Sequence, residues 1–310
     1  MSPTEAFMPD ILARLAPHLD AEVLLEPEYR IVGRIRFRNG RQSYFWHNKF
    51  NLNPVGAARI AADKGYTNFF LAAEGIRVPR ERAFFAPRFR RILQSNRDVE
   101  AACARGWAKE RTLLVQEACP GRDYRLVILD GKLISAYERI PLTIAGDGRR
   151  TIGQLLSALQ RRFEEEGRDT IIDPKDRRIE ATLRREKLTK RTVLARGRKL
   201  RLLEVANLSC GGTSAEVTAQ VAKPYIALAA RVSAALGLRF AGIDLIAPDI
   251  RRYAKRHWVL EVNSAPGLDH YAGHGPEHQA AIDRLYLKVL RAVEQGPPEA
   301  KPRSGRAKKR

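Results

Sequence analysis

Two apolar segments in the C-terminal half carry acids where a buried strand would be expected to be wholly apolar: "RFAGIDLIAPD", residues 239–249, and "WVLEVNSAPGLDHY", residues 258–271. Each is rich in strand-forming residues and bounded by Gly or Pro, so each is expected to form a strand. Side chains at i and i+2 of a strand share a face, which places Glu261 beside Asn263. A short basic turn between the segments makes them antiparallel neighbours, so Asp244 converges on the same point. A buried carboxylate needs a partner. Two carboxylates and an amide carbonyl, without His or Cys, suit a hard cation, magnesium rather than calcium where phosphate oxygens complete the shell. The same residues equally fit strand-end carboxylates satisfied by arginines, and spacing leaves both readings open.

Arginine is abundant enough for either. The 310 residues include 56 Lys+Arg against 35 Asp+Glu, a net charge of +21 with pI near 10.4. Such a balance favours polyanionic company, namely nucleotides, acidic peptides, anionic lipid or nucleic acid, and says nothing about fold. The last segment, "GPPEAKPRSGRAKKR", holds six basic residues and one acid with no apolar anchor, and is expected to be a disordered tail. Without it the body still carries +16. The 44% hydrophobic content predicts a true core. Cys103, Cys119 and Cys210 form no CxxC, consistent with a reducing compartment and no zinc site. No apolar run is long enough for a signal peptide or a membrane span, so a cytoplasmic protein with no membrane partner is expected.

Along the chain, residues 10–19 predict a short helix through Ile11, Leu12 and Leu15. "RIVGRIRFRNGRQSYFWHNK" predicts a hairpin with Arg34, Arg36 and Arg38 on one face and Asn39-Gly40 as a type I′ turn. One helical stretch is expected in "NPVGAARIAADKGYTNFFLAAEGIRVP". A second hairpin turns at Asp130-Gly131, a helix starts at Thr151, another closes at Gly237, and an amphipathic helix runs through Ile282, Leu285, Val289, Leu290 and Val293. Paired strands with helices between them predict an α+β protein with antiparallel sheets.

"GIDLI" followed by "LEVNSAPGL" resembles the metal-binding half of the ATP-grasp superfamily. "GRDYRLVILDGKLISAYERIPLTIAGDGRRTIGQLL" and "NLSCGGTSAEVT" are similar to its cyanophycin-synthetase-like members, and the likeness runs from about Asn51 to Val293. The resemblance implies two α+β subdomains gripping ATP: residues 51–115 as a smaller, truncated one and 116–294 as a larger one carrying the metal site, after an N-terminal region of residues 1–50 and before a basic tail at 295–310. It implies magnesium, with manganese as a substitute, held by Asp244, Glu261 and Asn263. It places the ribose at Asp123, the adenine hinge along Gln116, Glu117 and Cys119, and a phosphate-directed lysine at Lys64. Arg125 and Arg139 are candidates for the transferred phosphate or the acid substrate, since guanidinium matches both bidentately. Asn207 and Gly211-Gly212 are expected near the reacting groups. The implied reaction is amide formation between a carboxylate and an amine or peptide substrate through an acyl phosphate.

The chain departs from the family pattern in one large respect. Relatives carry a second lysine on a strand followed by a Gly-rich loop over the phosphates, yet residues 76–105 contain neither lysine nor glycine. Arg88, Arg90 and Arg91 restore charge there but not a backbone cradle, which needs residues free to adopt positive φ. Gln116 stands where relatives often have a hinge glutamate, and Leu203 or Glu204 where they have an arginine. The further domains of a full cyanophycin synthetase are not expected. A catalytically impaired descendant that binds a peptide or nucleotide is therefore a rival reading. A third is nucleic-acid binding by Arg34, Arg36 and Arg38 beside Tyr44, Phe45 and Trp46; it is not favoured. His270, His274 and His278 are spaced by four, but Gly273, Gly275 and Pro276 interrupt any helix that would align them.

Overall fold

A computed structural model describes residues 8–85, 112–166, 170–206, 210–267 and 276–297. Helix α1 (Met8–Leu15) presents Met8, Ile11, Leu12 and Leu15 to the interior and continues into a 3-10 turn at Ala16–Leu19. A four-stranded antiparallel meander follows: β1 (Ala21–Leu25), β2 (Val32–Phe37), β3 (Gln42–Trp46) and β4 (Lys49–Phe50). The β2–β3 connection differs from the type I′ expectation. Arg36 pairs with Gln42, Phe37 donates its N–H to Arg41 O, and Gly40 has positive φ while Asn39 does not. This is a three-residue loop with glycine at the left-handed position. Asn39 Oδ1 accepts the Arg41 N–H at 2.9 Å and so favours the longer loop. At Asp130-Gly131 both residues have positive φ, as the two-residue turn requires.

The expected single helix after residue 54 is two: α2 (Val55–Ala61) and α3 (Lys64–Ala73). Asp63 breaks it, since its side chain caps α3 by accepting the Tyr66 N–H at 3.0 Å. At the far end Gly75 takes positive φ, with Ile76 N bonded to Leu71 O and Gly75 N to Ala72 O, a Schellman ending. Strands β5 (Glu81–Phe85) and β6 (Thr112–Gln116) form a separate antiparallel pair.

The main sheet contains β7 (Arg122–Leu129), β8 (Lys132–Ile140), β11 (Thr213–Glu216), β12 (Phe240–Ala247) and β13 (Trp258–Asn263), in the order β11-β8-β7-β12-β13, all antiparallel. A third unit sits between β8 and β11. It comprises β9 (Thr143–Ala145), α4 (Ile152–Glu165), α5 (Arg177–Arg185) and β10 (Lys199–Arg201) around Leu142, Ile152, Leu156, Phe163 and Leu202. Thr151 and Gln154 close a capping box at the start of α4.

Helix α6 (Lys223–Ala235) lies over one face of the main sheet, where Tyr225, Ala229 and Val232 meet Leu126, Ile243 and Val259. Helix α7 (Pro276–Gln295) joins α1 and the meander in a second core: Ile282, Tyr286, Val289 and Leu290 pack with Leu12, Ile35, Phe37 and Phe240. No helix among the described residues is long and apolar enough to cross a membrane.

Candidate active site

Register decides what the acids of β12 and β13 meet. Asp244 is paired with Glu261 on one side and with Arg125 of β7 on the other; Gly242 is opposite Asn263. Directly paired residues of an antiparallel sheet share a face, so Asp244, Glu261, Asn263 and Arg125 all project the same way. The same rule adds Tyr137, paired with Arg125, and the Asp123–Arg139 pair.

These side chains form one network. Arg125 donates from Nε and Nη2 to Asp244 at 2.6 and 2.8 Å, a bidentate fork. Arg139 Nη2 reaches Asp244 Oδ2 and Asp123 Oδ1, each at 2.8 Å, and its Nε adds a 3.1 Å bond to Asp123. Lys64, in the first turn of α3, places Nζ 3.1 Å from Glu261 Oε2. Three carboxylates thus face three cations, and the cluster compensates itself electrically.

Burial makes this compensation necessary, because the Asp244 side chain is only 3% exposed and those of Arg125 and Arg139 about 15%. An unpaired charge at that depth would cost several kcal/mol. Burial alone would lower the pKa of Arg125 and of Arg139, yet the bonds and charge of Asp244 at Arg125, and the charges of Asp244 and Asp123 with the Asp123 bond at Arg139, outweigh it and hold both guanidiniums above their ordinary value. At Asp123 the balance goes the other way. Burial pushes its carboxyl up despite Arg139, because that arginine is shared with Asp244. Burial also raises the Tyr137 phenol, which touches Arg125.

Both readings of the acids meet here. Asp244 is satisfied by arginines, three of its roughly four lone-pair positions being used. Glu261 holds one ion pair and is partly exposed. Asn263 has a buried Nδ2 with no hydrogen-bond partner among the described residues. Turning that amide over would present its carbonyl oxygen there instead, the atom a hard cation takes. Two carboxylates with free lone pairs and an unsatisfied amide on one face fit a magnesium ion. Among the described residues no three His, Cys, Asp or Glu cluster as a metal site, so an ion on this face would need oxygen donors beyond the two carboxylates, from the Asn263 amide, water or phosphate.

The expected hinge lies between the β5–β6 pair and the main sheet. Gln116 Nε2 bonds Glu81 Oε2 at 2.9 Å, and the Glu117 carboxylate accepts from the Arg80 backbone N–H at 3.0 Å and its Nε at 2.8 Å. Those bonds hold Glu117 below the usual carboxylate range. Burial pushes the Cys119 thiol up. Arg77, whose guanidinium carbon is 4.7 Å from the Trp258 ring centre, and Arg256 at 5.9 Å both stack on this ring beside Glu117. Sequence reasoning did not single out Tyr137 or Trp258. Strand alternation, two residues before Arg139 and three before Glu261, was the available signal for the first only, because a bulge in β13 shifts the second out of step.

Leu203 is buried in the α4–α5 core and Glu204 pairs with Arg185 and Arg201. Gly211 has positive φ, and a side chain there would meet Leu142. Asn207, Arg88, Arg90, Arg91, His270 and His274, and the side chain of His278, lie outside the described residues.

No family model matches the chain. It is 31% identical over 240 residues to a cyanophycin synthetase of Trichormus variabilis, covering 67% of this chain and 27% of that protein. With the glutathione biosynthesis bifunctional protein GshAB of Streptococcus mutans it shares 35% identity over 280 residues, 87% of this chain and 34% of that protein. A crystal structure of a bifunctional glutathione synthetase from Pasteurella multocida matches it with a TM-score of 0.61 at 18% identity, over 86% of this chain and 42% of that one. The chain is a cyanophycin-synthetase-like ATP-grasp protein. It spans about a third or less of the length of these curated relatives. Within the ATP-grasp fold, the paired acids of β12 and β13 and the arginines of β7 and β8 form a single polar face on the main sheet.

Proposed function

We propose that this ATP-grasp protein is a carboxylate-amine ligase, using ATP and magnesium to activate a carboxylate as an acyl phosphate for attack by an amine or peptide. The observation that carries the reading is the cross-strand register that sets Asp244 opposite Glu261 and Arg125, with Asn263 next along the face. Asp244, Glu261 and Asn263 would hold magnesium, or manganese in its place. Once bound, the ion neutralises phosphate charge during in-line transfer. With two of the three carboxylate charges offset there, Lys64, Arg125 and Arg139 would carry cationic charge in excess of the acids and could share their contacts with phosphate and carboxylate oxygens. Gln116, Glu117 and Cys119 would line the adenine, and Asp123 would accept from the ribose hydroxyls after releasing Arg139.

Calorimetric titration of ATP with magnesium present, repeated on Glu261→Ala, is the test. The expected result is micromolar, magnesium-dependent binding that the substitution abolishes, and ADP release that requires both a carboxylate and an amine. No binding at millimolar ATP would remove the ligase reading.

One observation favours a second reading, a descendant that binds ligand without turnover: residues 76–105 carry no lysine and no glycine. Losing two or three charge-assisted hydrogen bonds at about 1.5–3 kcal/mol each lowers nucleotide affinity by roughly two to six orders of magnitude. That reading expects ligand binding without ADP release.

A further inference from the structure

The N-terminal meander and helix α2 enclose a groove of 880 Å³ that the proposed chemistry does not use. Helix α2 contributes Val55, Ala58, Arg59 and Ala62, spaced as one helix face, and the opposite wall is built by β2, β3 and β4. On β3, Tyr44 and Trp46 are each 60% exposed, an unusual state for two large rings on one strand face. Tyr44 is paired with Arg34 and Trp46 with Val32, so the rings and the guanidinium share that face. Ser264, the residue after Asn263, also lines the groove, and its carbonyl accepts from Asn53 Nδ2 at 2.7 Å. The groove is therefore one residue along the chain from Asn263 of the polar face.

Its charge is unmet. Arg34, Lys49 and Arg59 line it and form no ion pair among the described residues. The single acid in the lining, Glu26, has its carboxylate turned to the backbone N–H groups of Glu28, Tyr29 and Arg30 and pairs with none of the three cations, which leaves the lining with two positive charges in excess. Three cations around exposed aromatic rings recognise a ligand with several carboxylates and an apolar group between them. The volume suits a peptide of a few residues. We propose that this groove is the binding site for a short acidic peptide carrying an aromatic or apolar residue, delivered toward the face of Asp244 and Glu261. As a substrate site this rests on the ligase reading, while the binding itself does not.

The test is titration of the tripeptide Glu-Phe-Glu into the whole chain at low salt, without ATP or magnesium, followed by calorimetry and tryptophan emission. Binding is expected with an emission change that Trp46→Phe removes. Arg59→Ala should weaken it about tenfold and the Arg34→Ala, Arg59→Ala pair about a hundredfold. Both side chains are unpaired among the described residues, so the variants should keep their far-UV circular dichroism. Arg59→Glu should turn the preference toward Lys-Phe-Lys. Equal binding of Lys-Phe-Lys by the unaltered protein, or indifference to these substitutions, would overturn the proposal. So would tighter, steeply salt-dependent binding of a thymidine 20-mer at Trp46, or self-association that Trp46→Phe abolishes. Because nucleotide is absent, a failure of ATP binding leaves this result standing, and a failure here leaves the ATP titration standing.

Discussion

Asp244 is the residue on which the polar face turns, because two guanidiniums depend on its charge, while the opposing Glu261 takes its own cation from Lys64. Asp244→Ala would leave Arg125 and Arg139 buried with a single shared acid, Asp123. A loss of about 3–5 kcal/mol is expected, read as a lower urea midpoint, whereas a change under 1 kcal/mol would show that water reaches the network. Beside it, Gly242 has a steric reason. An added Cβ would lie 2.8 Å from Pro266 Cβ and 3.4 Å from Arg125 Cδ. Gly242→Ala is expected to cost about 1–3 kcal/mol and to displace the Ser-Ala-Pro turn that follows Asn263. Unchanged stability would mean that this turn yields freely. The types of these residues were legible in the sequence, as was their common face. Which acid would take arginine and which lysine was not, since that depends on strand order across residues more than a hundred positions apart.

At the scale of elements, local signals account for where helices begin. Thr151 and Gln154 satisfy two N–H groups at the start of α4, so Thr151→Ala should cost about 1 kcal/mol in a denaturation curve. Asp63 splits what hydrophobic spacing predicted as one helix, and the break sets Lys64 in the first turn of α3, within reach of Glu261. The contact between α1 and α7 is tuned by pH. Arg14 donates twice to Asp283, at 2.7 and 2.6 Å, and holds that carboxyl below its ordinary 3.8. A carboxyl whose folded pKa is depressed contributes stability above its unfolded value and loses it as pH falls through the folded one. Arg14 is half exposed, so water screens the pair and about 0.5 kcal/mol is expected. Comparing Arg14→Ala with the unaltered protein should show that difference at pH 7 and its progressive loss as pH falls below 3.8 and through the lowered folded value. A difference that persists in acid would assign it to packing of the arginine stem.

For the whole molecule, the notable fact is that the first 50 residues and the last helix share one core. Leu290 and Val289 are fully buried against α1 and the meander. Leu290→Ala should therefore cost about 2–5 kcal/mol. In hydrogen exchange it should release the amides of β1, β2 and β3 together with those of α7. Protection retained in the meander would show that it folds independently. Asn53, which lines the groove, donates to the carbonyls of Phe240 and Ser264 at 2.6 and 2.7 Å and so ties the groove to the start of β12 and the end of β13.

Much of this protein follows from local chemistry. Strand alternation, turn dipeptides, caps and apolar spacing act over a few residues, so the sequence alone determined the α+β class, most elements and the convergence of Asp244, Glu261 and Asn263. The three-residue loop at Asn39 and the break at Asp63 escaped because one side-chain hydrogen bond outweighed a general propensity. The order of the five strands, the arginine network around Asp244, and the closing of the meander against α2 with its cations unpaired were decided by tertiary structure. Burial makes each charge choose a partner, and which partner is near depends on segments that only the folded chain brings together.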